Sequence, residues 1–202
     1  MKLLIIRHGE TAWNKEKRMQ GRCDIPLNEE GIRLARETGK GMQNIPIDLT
    51  ISSPLQRALE TAKLVTEGRD IPLIIDERIQ EMSFGDWEGE CVLTSDKIDP
   101  QFMVDFYKNP AGCVVPPNGE SFQDVIDRTR DFIEDIIDRP QYQDKTILIA
   151  THGAASRCLL CHFFEDKTDI WRGGVPKNCS VTTVEIENGE GRVVSLDQVF
   201  MI

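Results

Sequence analysis

Two short aliphatic runs limit the folds open to this chain more than any other feature. Leu3 to Ile6 stops at Arg7-His8-Gly9, and Ile147 to Ala150 stops at Thr151-His152-Gly153. A continuous aliphatic run has no polar face. As strands, Lys2 to Arg7 and Ile147 to Thr151 must therefore be covered on both sides, as in a parallel sheet with helices on each face. Leu49 to Ser52 and Pro72 to Ile75 are two further short β-like runs, each following a helical stretch.

Helical periodicity occupies the intervals. From Ser121 to Arg139, apolar residues such as Phe122, Val125, Ile126, Phe132, Ile133 and Ile136 recur on one helical face, and Pro140 marks the end. Ile32, Ala35, Gly39 and Met42 give a weaker stripe behind a cap at Asn28. Ser53-Pro54-Leu55-Gln56 reads as a helix start, with Ser53 as N-cap, Pro54 at the first helical position and Gln56 closing a capping box. Ser180 to Ile186 and Arg192 to Gln198 read as two strands joined by a turn over Asn188-Gly189-Glu190-Gly191. The alternation predicts an α/β fold, a three-layer sandwich with a mostly parallel central sheet flanked by helices. No repeat or linker interrupts the 202 residues, so residues 1–202 are expected to form a single domain.

Composition removes several classes of function. With 24 Lys plus Arg against 34 Asp plus Glu, the net charge is −10. Such a balance disfavours nucleic acid and anionic membrane surfaces as partners. No apolar run approaches the roughly 18 residues of a membrane span, and Arg7 cuts the first run short of a signal-peptide core. A cytoplasmic protein is expected. The six cysteines are too dilute for a disulfide scaffold and are expected to be reduced. Cys158 and Cys161, with His162 beside them, could form a redox pair or half a zinc site. Small buried hydrophobes in the apolar stretch Ala154 to Phe164 are the better reading, since no second Cys pair exists. The sequon Asn178-Cys179-Ser180 has no meaning in a cytosolic protein.

In open α/β sheets, ligands gather beyond the carboxyl ends of the strands. That rule selects His8 and His152, each followed by a glycine that lets a ligand approach the backbone. A lone histidine there is more often structural, but two in the same setting are a different matter. With Arg7, and with Arg57 at a third strand-to-helix junction, the set suits an anion bearing several oxygens.

At these residues the chain resembles a known family. Arg7-His8-Gly9-Glu10-Thr11 with Trp13-Asn14 looks like the signature of the histidine phosphatase superfamily, also called the phosphoglycerate mutase-like family. The similarity continues through Gln20-Gly21, Asp24, Pro26-Leu27 and Gly31 to Ser52-Ser53-Pro54-Leu55-Gln56-Arg57-Ala58 and Thr61-Ala62. It runs on through Glu81, Phe84-Gly85, Trp87-Glu88-Gly89 and Gly119-Glu120-Ser121 to Thr151-His152-Gly153.

The resemblance implies His8 as a nucleophile that forms a phosphohistidine, with Arg7, Arg57 and His152 around the phosphoryl oxygens, and no cofactor or metal ion. Asn14 and the Gln20-Gly21 backbone would add neutral donors. A leaving alkoxide needs a proton, and Asp76, Glu77, Glu81, Asp86 and Glu88 are candidates by position. The family similarity points to Glu81, which leaves the others as solvated or salt-bridged surface groups. Arg157 is expected to be a structural ion-pair donor, and His162 to have no catalytic role.

Mutases and phosphatases of this family share that core, so the lid or insert at about 82–120 has to separate them. Between Met82 and Glu120 the only basic residues are Lys97 and Lys108, against seven carboxylates. A mutase must hold a substrate carboxylate and a second phosphate. Phe102, Met103, Phe106 and Tyr107 suit an uncharged or partly apolar leaving group. The expectation is a metal-independent phosphomonoesterase acting on a small phosphorylated metabolite, of broad specificity or similar to the α-ribazole phosphatases. Phosphoglycerate mutase-type transfer and a non-catalytic, phospho-ligand-binding member are the alternatives, and a homodimer is left open.

Overall fold

The central strand β1 (Lys2–Arg7) sends alternate side chains to opposite layers, and the computed structural model, which describes residues 1–200, is built around that strand. In chain order the other elements are α1 (Ala12–Lys15), α2 (Glu29–Gly41), β2 (Leu49–Ser52), α3 (Gln56–Val65), β3 (Leu73–Ile75), α4 (Pro100–Lys108), α5 (Phe122–Ile137), β4 (Thr146–Thr151), α6 (Gly153–Leu160), β5 (Val181–Glu187) and β6 (Glu190–Gln198). Leu3 and Ile5 pack with Phe132, Ile133 and Ile136 of α5 and with Leu159 and Leu160 of α6. Leu4 and Ile6 pack with Ala35 of α2 and with Ala62 and Val65 of α3. The sheet thus lies between two helical layers, and truncating a fully buried side chain such as Phe132 costs about 3–5 kcal/mol.

The strand order is β3-β2-β4-β1-β5-β6. The first four strands are parallel, whereas β5 runs antiparallel to β1, and β6 antiparallel to β5. The connection between β5 and β6 is tighter than the sequence suggests. Asn188 and Gly189 take φ of 53° and 82°, so two residues complete the turn and β6 begins at Glu190.

Asn28 caps α2 by accepting from the Gly31 amide at 2.8 Å. Ser121 and Asp124 form a reciprocal capping box on α5. The expected cap at Ser53 is not made. Helix α3 begins at Gln56 behind Leu55, which makes no side-chain cap, and the Gln56 amide donates instead to Asp24 Oδ1 at 2.7 Å.

The segment 82–120 carries α4 and buries Met82, Phe84, Trp87, Phe102 and Phe106 against Phe122 and Val125 of α5 and Ala154, Ala155 and Cys158 of α6. Its apolar core is thus continuous with helices of the main body.

Candidate active site

Parallel register brings the strand ends together. Arg7 of β1 lies beside Thr151 of β4, and Ser52 of β2 beside Ala150. His8, Ser53 and His152 therefore leave the sheet side by side at its carboxyl edge. The His8 amide donates to the Thr151 carbonyl and the Ser53 amide to the Ala150 carbonyl, both at 3.0 Å.

His8 is 3 % exposed, and its Nδ1 lies 2.7 Å from the Gly9 carbonyl. A carbonyl oxygen only accepts, so Nδ1 carries the proton and Nε2 keeps its lone pair. The loop is held from both sides: the Gly9 amide donates to Thr61 Oγ1 at 2.9 Å, and Asn178 Nδ2 donates to the His8 carbonyl at 2.9 Å. Burial, followed by the charges of Arg57 and Arg7, holds the His8 pKa well below the ordinary 6.5. The ring is neutral at neutral pH, with a free nucleophilic nitrogen.

The guanidiniums beside it are anchored at one end only. Arg57 donates to the Cys23 carbonyl at 2.8 Å and the Gly21 carbonyl at 2.7 Å, and Arg7 donates through Nη1 to the Pro176 carbonyl. The Nε of each is buried without a partner, as is His152 Nδ1. Burial pulls both guanidiniums below their ordinary pKa, with Glu81 the largest opposing charge. His152 is fully buried, its ring centroid 5.2 Å from that of His8 and its plane tilted by 55°. Burial first, and Arg57 second, push its pKa well below 6.5. His152 is not part of the cavity wall, whereas Arg7, His8, Arg57 and Glu81 are.

Glu81 is 8 % exposed and occupies the N-terminus of α6. Its carboxylate accepts from the Ala155 amide at 2.9 Å, the Ala154 amide at 3.3 Å and the Met82 amide at 2.9 Å. His152, the residue before α6, makes no side-chain cap, so Glu81 meets these orphan amides from a distant segment.

Asn14, Gln20 and Gly21 also line the cavity, whose volume is about 470 Å³. Asn14 Oδ1 accepts from the Thr11 amide at 3.0 Å, so its amide nitrogen is directed away from Thr11. Gln20 Oε1 lies 3.0 Å from Thr11 Oγ1. Gly21, expected as a backbone donor, contributes its carbonyl to Arg57. Of the expected aromatic lid residues, Phe102 and Phe106 are buried in the core and still reach the cavity, beside Met103, Tyr107 and Trp171.

Several contributors were missed or misread in the sequence. Glu88, expected among solvated or salt-bridged carboxylates, accepts from the Arg22 amide at 2.9 Å, the Cys23 amide at 2.9 Å and the Phe84 amide at 3.0 Å. It fastens the loop that carries the Arg57 acceptors. Arg128 of α5 donates to the carbonyls of Arg78 at 2.6 Å, Gln80 at 2.8 Å and Glu81 at 3.1 Å, and pairs with Glu120. Asn178, read only as part of a sequon, holds the His8 carbonyl. A count of basic residues confined to the lid also overlooked Lys17 and Arg18, which line the cavity from the loop after α1. Arg18 is engaged by Glu16 at 2.6 Å, and Lys17 is exposed, with a left-handed φ of 55°.

Arg157 is the structural ion-pair donor expected, buried against Asp197 and donating to the Gly174 carbonyl at 2.8 Å. His162 Nε2 lies 3.2 Å from Thr129 Oγ1 on α5. Cys158 and Cys161 are free and buried. Burial raises both thiols, Cys161 to about 11, which disfavours the thiolate that metal binding or redox chemistry requires. Among the described residues, no three His, Cys, Asp or Glu side chains group as a metal site would need.

Residues 3–198 match the family model of the histidine phosphatase superfamily (branch 1). The chain is similar to the uncharacterized phosphatase PhoE of Bacillus subtilis, with 35% identity over 77% of this chain and 74% of that protein. It is 27% identical to phosphoserine phosphatase 1 of Hydrogenobacter thermophilus, covering 98% of this chain and 92% of the relative. Among solved structures, YhfR of Bacillus stearothermophilus superposes with a TM-score of 0.90 at 36% identity, covering 98% of this chain and 97% of that one. Strand-end histidines, two half-anchored arginines and a match spanning nearly the whole sequence agree: this chain belongs to the histidine phosphatase superfamily, branch 1.

Proposed function

We propose that the protein hydrolyses small phosphomonoesters through a phosphohistidine on His8, with no metal ion in the chemistry. One observation carries this reading. The unpartnered nitrogens Arg7 Nε, Arg57 Nε and His152 Nδ1 belong to the three residues whose side chains crowd His8, and the two guanidinium N–H groups, buried donors without partners, call for an absent acceptor. A phosphoryl group has the oxygens to satisfy them. Two guanidiniums neutralise its charge, the role a metal ion fills elsewhere.

In the first step His8 Nε2 attacks phosphorus as the bond to the leaving oxygen breaks, and protonated Glu81 gives that oxygen its proton. In the second, the Glu81 carboxylate takes a proton from water. The resulting hydroxide displaces neutral His8 from phosphorus, releasing inorganic phosphate. Asn14, Gln20 and the Gly21 backbone border the same space and would contribute neutral contacts to the substrate.

The leaving group faces Phe84, Met103, Tyr107 and Trp171, which supports a partly apolar alcohol. Lys17 adds one cation at the wall, enough for a single acidic group. The −10 net charge disfavours more highly charged substrates and nucleic acid. Six free cysteines support residence in a reducing compartment such as the cytoplasm. Among the described residues no helix is long and apolar enough to cross a membrane.

The test is hydrolysis of a generic aryl phosphate at mildly acidic pH in excess chelator. Turnover is expected to persist in chelator and to vanish in His8→Ala. Loss on chelation would contradict the metal-free chemistry, and full activity of His8→Ala would contradict the nucleophile.

A further inference from the structure

Ser53 stands where a helix cap was expected, yet its hydroxyl is buried against a histidine. Ser53 Oγ lies 2.8 Å from His152 Nε2 and also accepts, at 3.4 Å, from the Leu55 amide. The neighbouring Ser52 hydroxyl does not compete, since it donates to the Ser53 carbonyl at 2.9 Å. The Ser53 O–H therefore has one side-chain acceptor in reach, the lone pair of His152 Nε2.

A neutral imidazole carries a single N–H, so a ring that accepts at Nε2 must donate at Nδ1. His152 Nδ1 is buried and has no protein partner. As an N–H it is a donor waiting for an anion's oxygen. As a bare lone pair it would repel that oxygen. The choice between the two rests on what faces Nε2.

We infer that Ser53 is a positioning residue that holds His152 in the Nδ1–H tautomer, so that the ring donates to a phosphoryl oxygen at His8. This rests on the phosphatase reading above. Burial and the charges of Arg57 and Arg7 keep the ring neutral, which is the condition under which tautomer choice matters. Ser53 touches neither substrate nor the reacting atoms; it acts through His152.

The tautomer is read directly from long-range proton–nitrogen correlation spectra of the nitrogen-15-labelled, ligand-free protein near neutral pH. Expected is a protonated Nδ1 and a bare Nε2 on His152. In Ser53→Ala that preference is expected to be lost, with kcat falling about 10- to 100-fold and KM little changed; Ser53→Thr, which restores the hydroxyl, is expected to recover both. A proton on Nε2 in the wild type overturns the inference without any variant. So does a Ser53→Ala protein whose tautomer is unchanged, whatever its rate. Because the spectrum needs no turnover, failure here is separable from failure of the phosphohistidine reading, which is judged by phosphoryl trapping on His8.

Discussion

The rings of His8 and His152 lie 5.2 Å apart, tilted by 55°, and Arg57 is the leading charge that depresses the pKa of both. Two imidazolium ions at that separation would repel each other and both guanidiniums, in a site too dry to screen them. Two neutral rings do not. In the proposed mechanism one such ring attacks phosphorus and the other donates a hydrogen bond, while Arg7 and Arg57 supply the positive charge.

Stability is expected to depend on pH through these rings. Both have folded pKa values below the ordinary 6.5, so above that pH neither state binds the extra protons and no penalty applies. As pH falls below about 6.5, the unfolded chain takes up protons that the native rings refuse. Stability drops by up to about 1.4 kcal/mol per pH unit per ring until the folded pKa is reached. His162, also lowered by burial, adds to the slope. Urea unfolding between pH 7 and 5 should show this decline, and His152→Asn should make it shallower; an unchanged slope would contradict the assignment.

Arg57→Lys is expected to lower kcat/KM by about 100-fold or more, although charge is conserved. The guanidinium reaches two carbonyls, Cys23 and Gly21, and still presents Nε. An ammonium cannot reproduce that fork. Steady-state kinetics on an aryl phosphate checks this, and a loss below threefold would argue against a phosphoryl contact.

Glu81→Gln separates proton donation from helix capping. Glutamine keeps one oxygen for the Ala155 and Met82 amides and gives up only the longer, 3.3 Å bond that the other oxygen accepts from Ala154, so the fold should survive. Rates on alkyl phosphates, whose alkoxide must be protonated as it leaves, should fall by about 10²–10⁴, and rates on an activated aryl phosphate far less. Equal losses on both substrates would remove Glu81 from that role.

Much of this was legible because strand ends are simple to find. Two aliphatic runs end in histidine, which marks His8 and His152, whereas the parallel pairing of β1 with β4 that sets them side by side is seen only in the fold. Contacts closed by backbone geometry were not legible. Ser53 follows the capping pattern, but α3 starts three residues after it, at Gln56, and the hydroxyl meets His152 instead. Glu88 and Arg128 resemble surface charges until the carbonyls and amides they bind are placed around them. Lys17 and Arg18 lie far in sequence from the lid, and isolated pairing of Arg18 with Cys91 brings the two segments together.

Gly21→Ala is expected to damage the site through a chain of contacts. Gly21 has a φ of 51°, and a Cβ there would fall 2.0 Å from Glu88 Oε1. Displacing Glu88 frees the loop whose carbonyls hold Arg57. A stability loss of about 1–3 kcal/mol together with a reduced kcat is expected from denaturant unfolding and kinetics, and an alanine variant equal to the wild type in both would exclude this coupling.

The most direct measurement of the central claim is rapid mixing of enzyme with substrate, an alkaline quench that preserves phosphohistidine, and mass spectrometry of the digest. Expected is one phosphoryl group on the peptide containing His8, appearing within the first turnover, discharged on longer incubation and absent in His8→Ala. Turnover with no phosphorylated His8 peptide at any time, or a phosphoryl group on another residue, would contradict it.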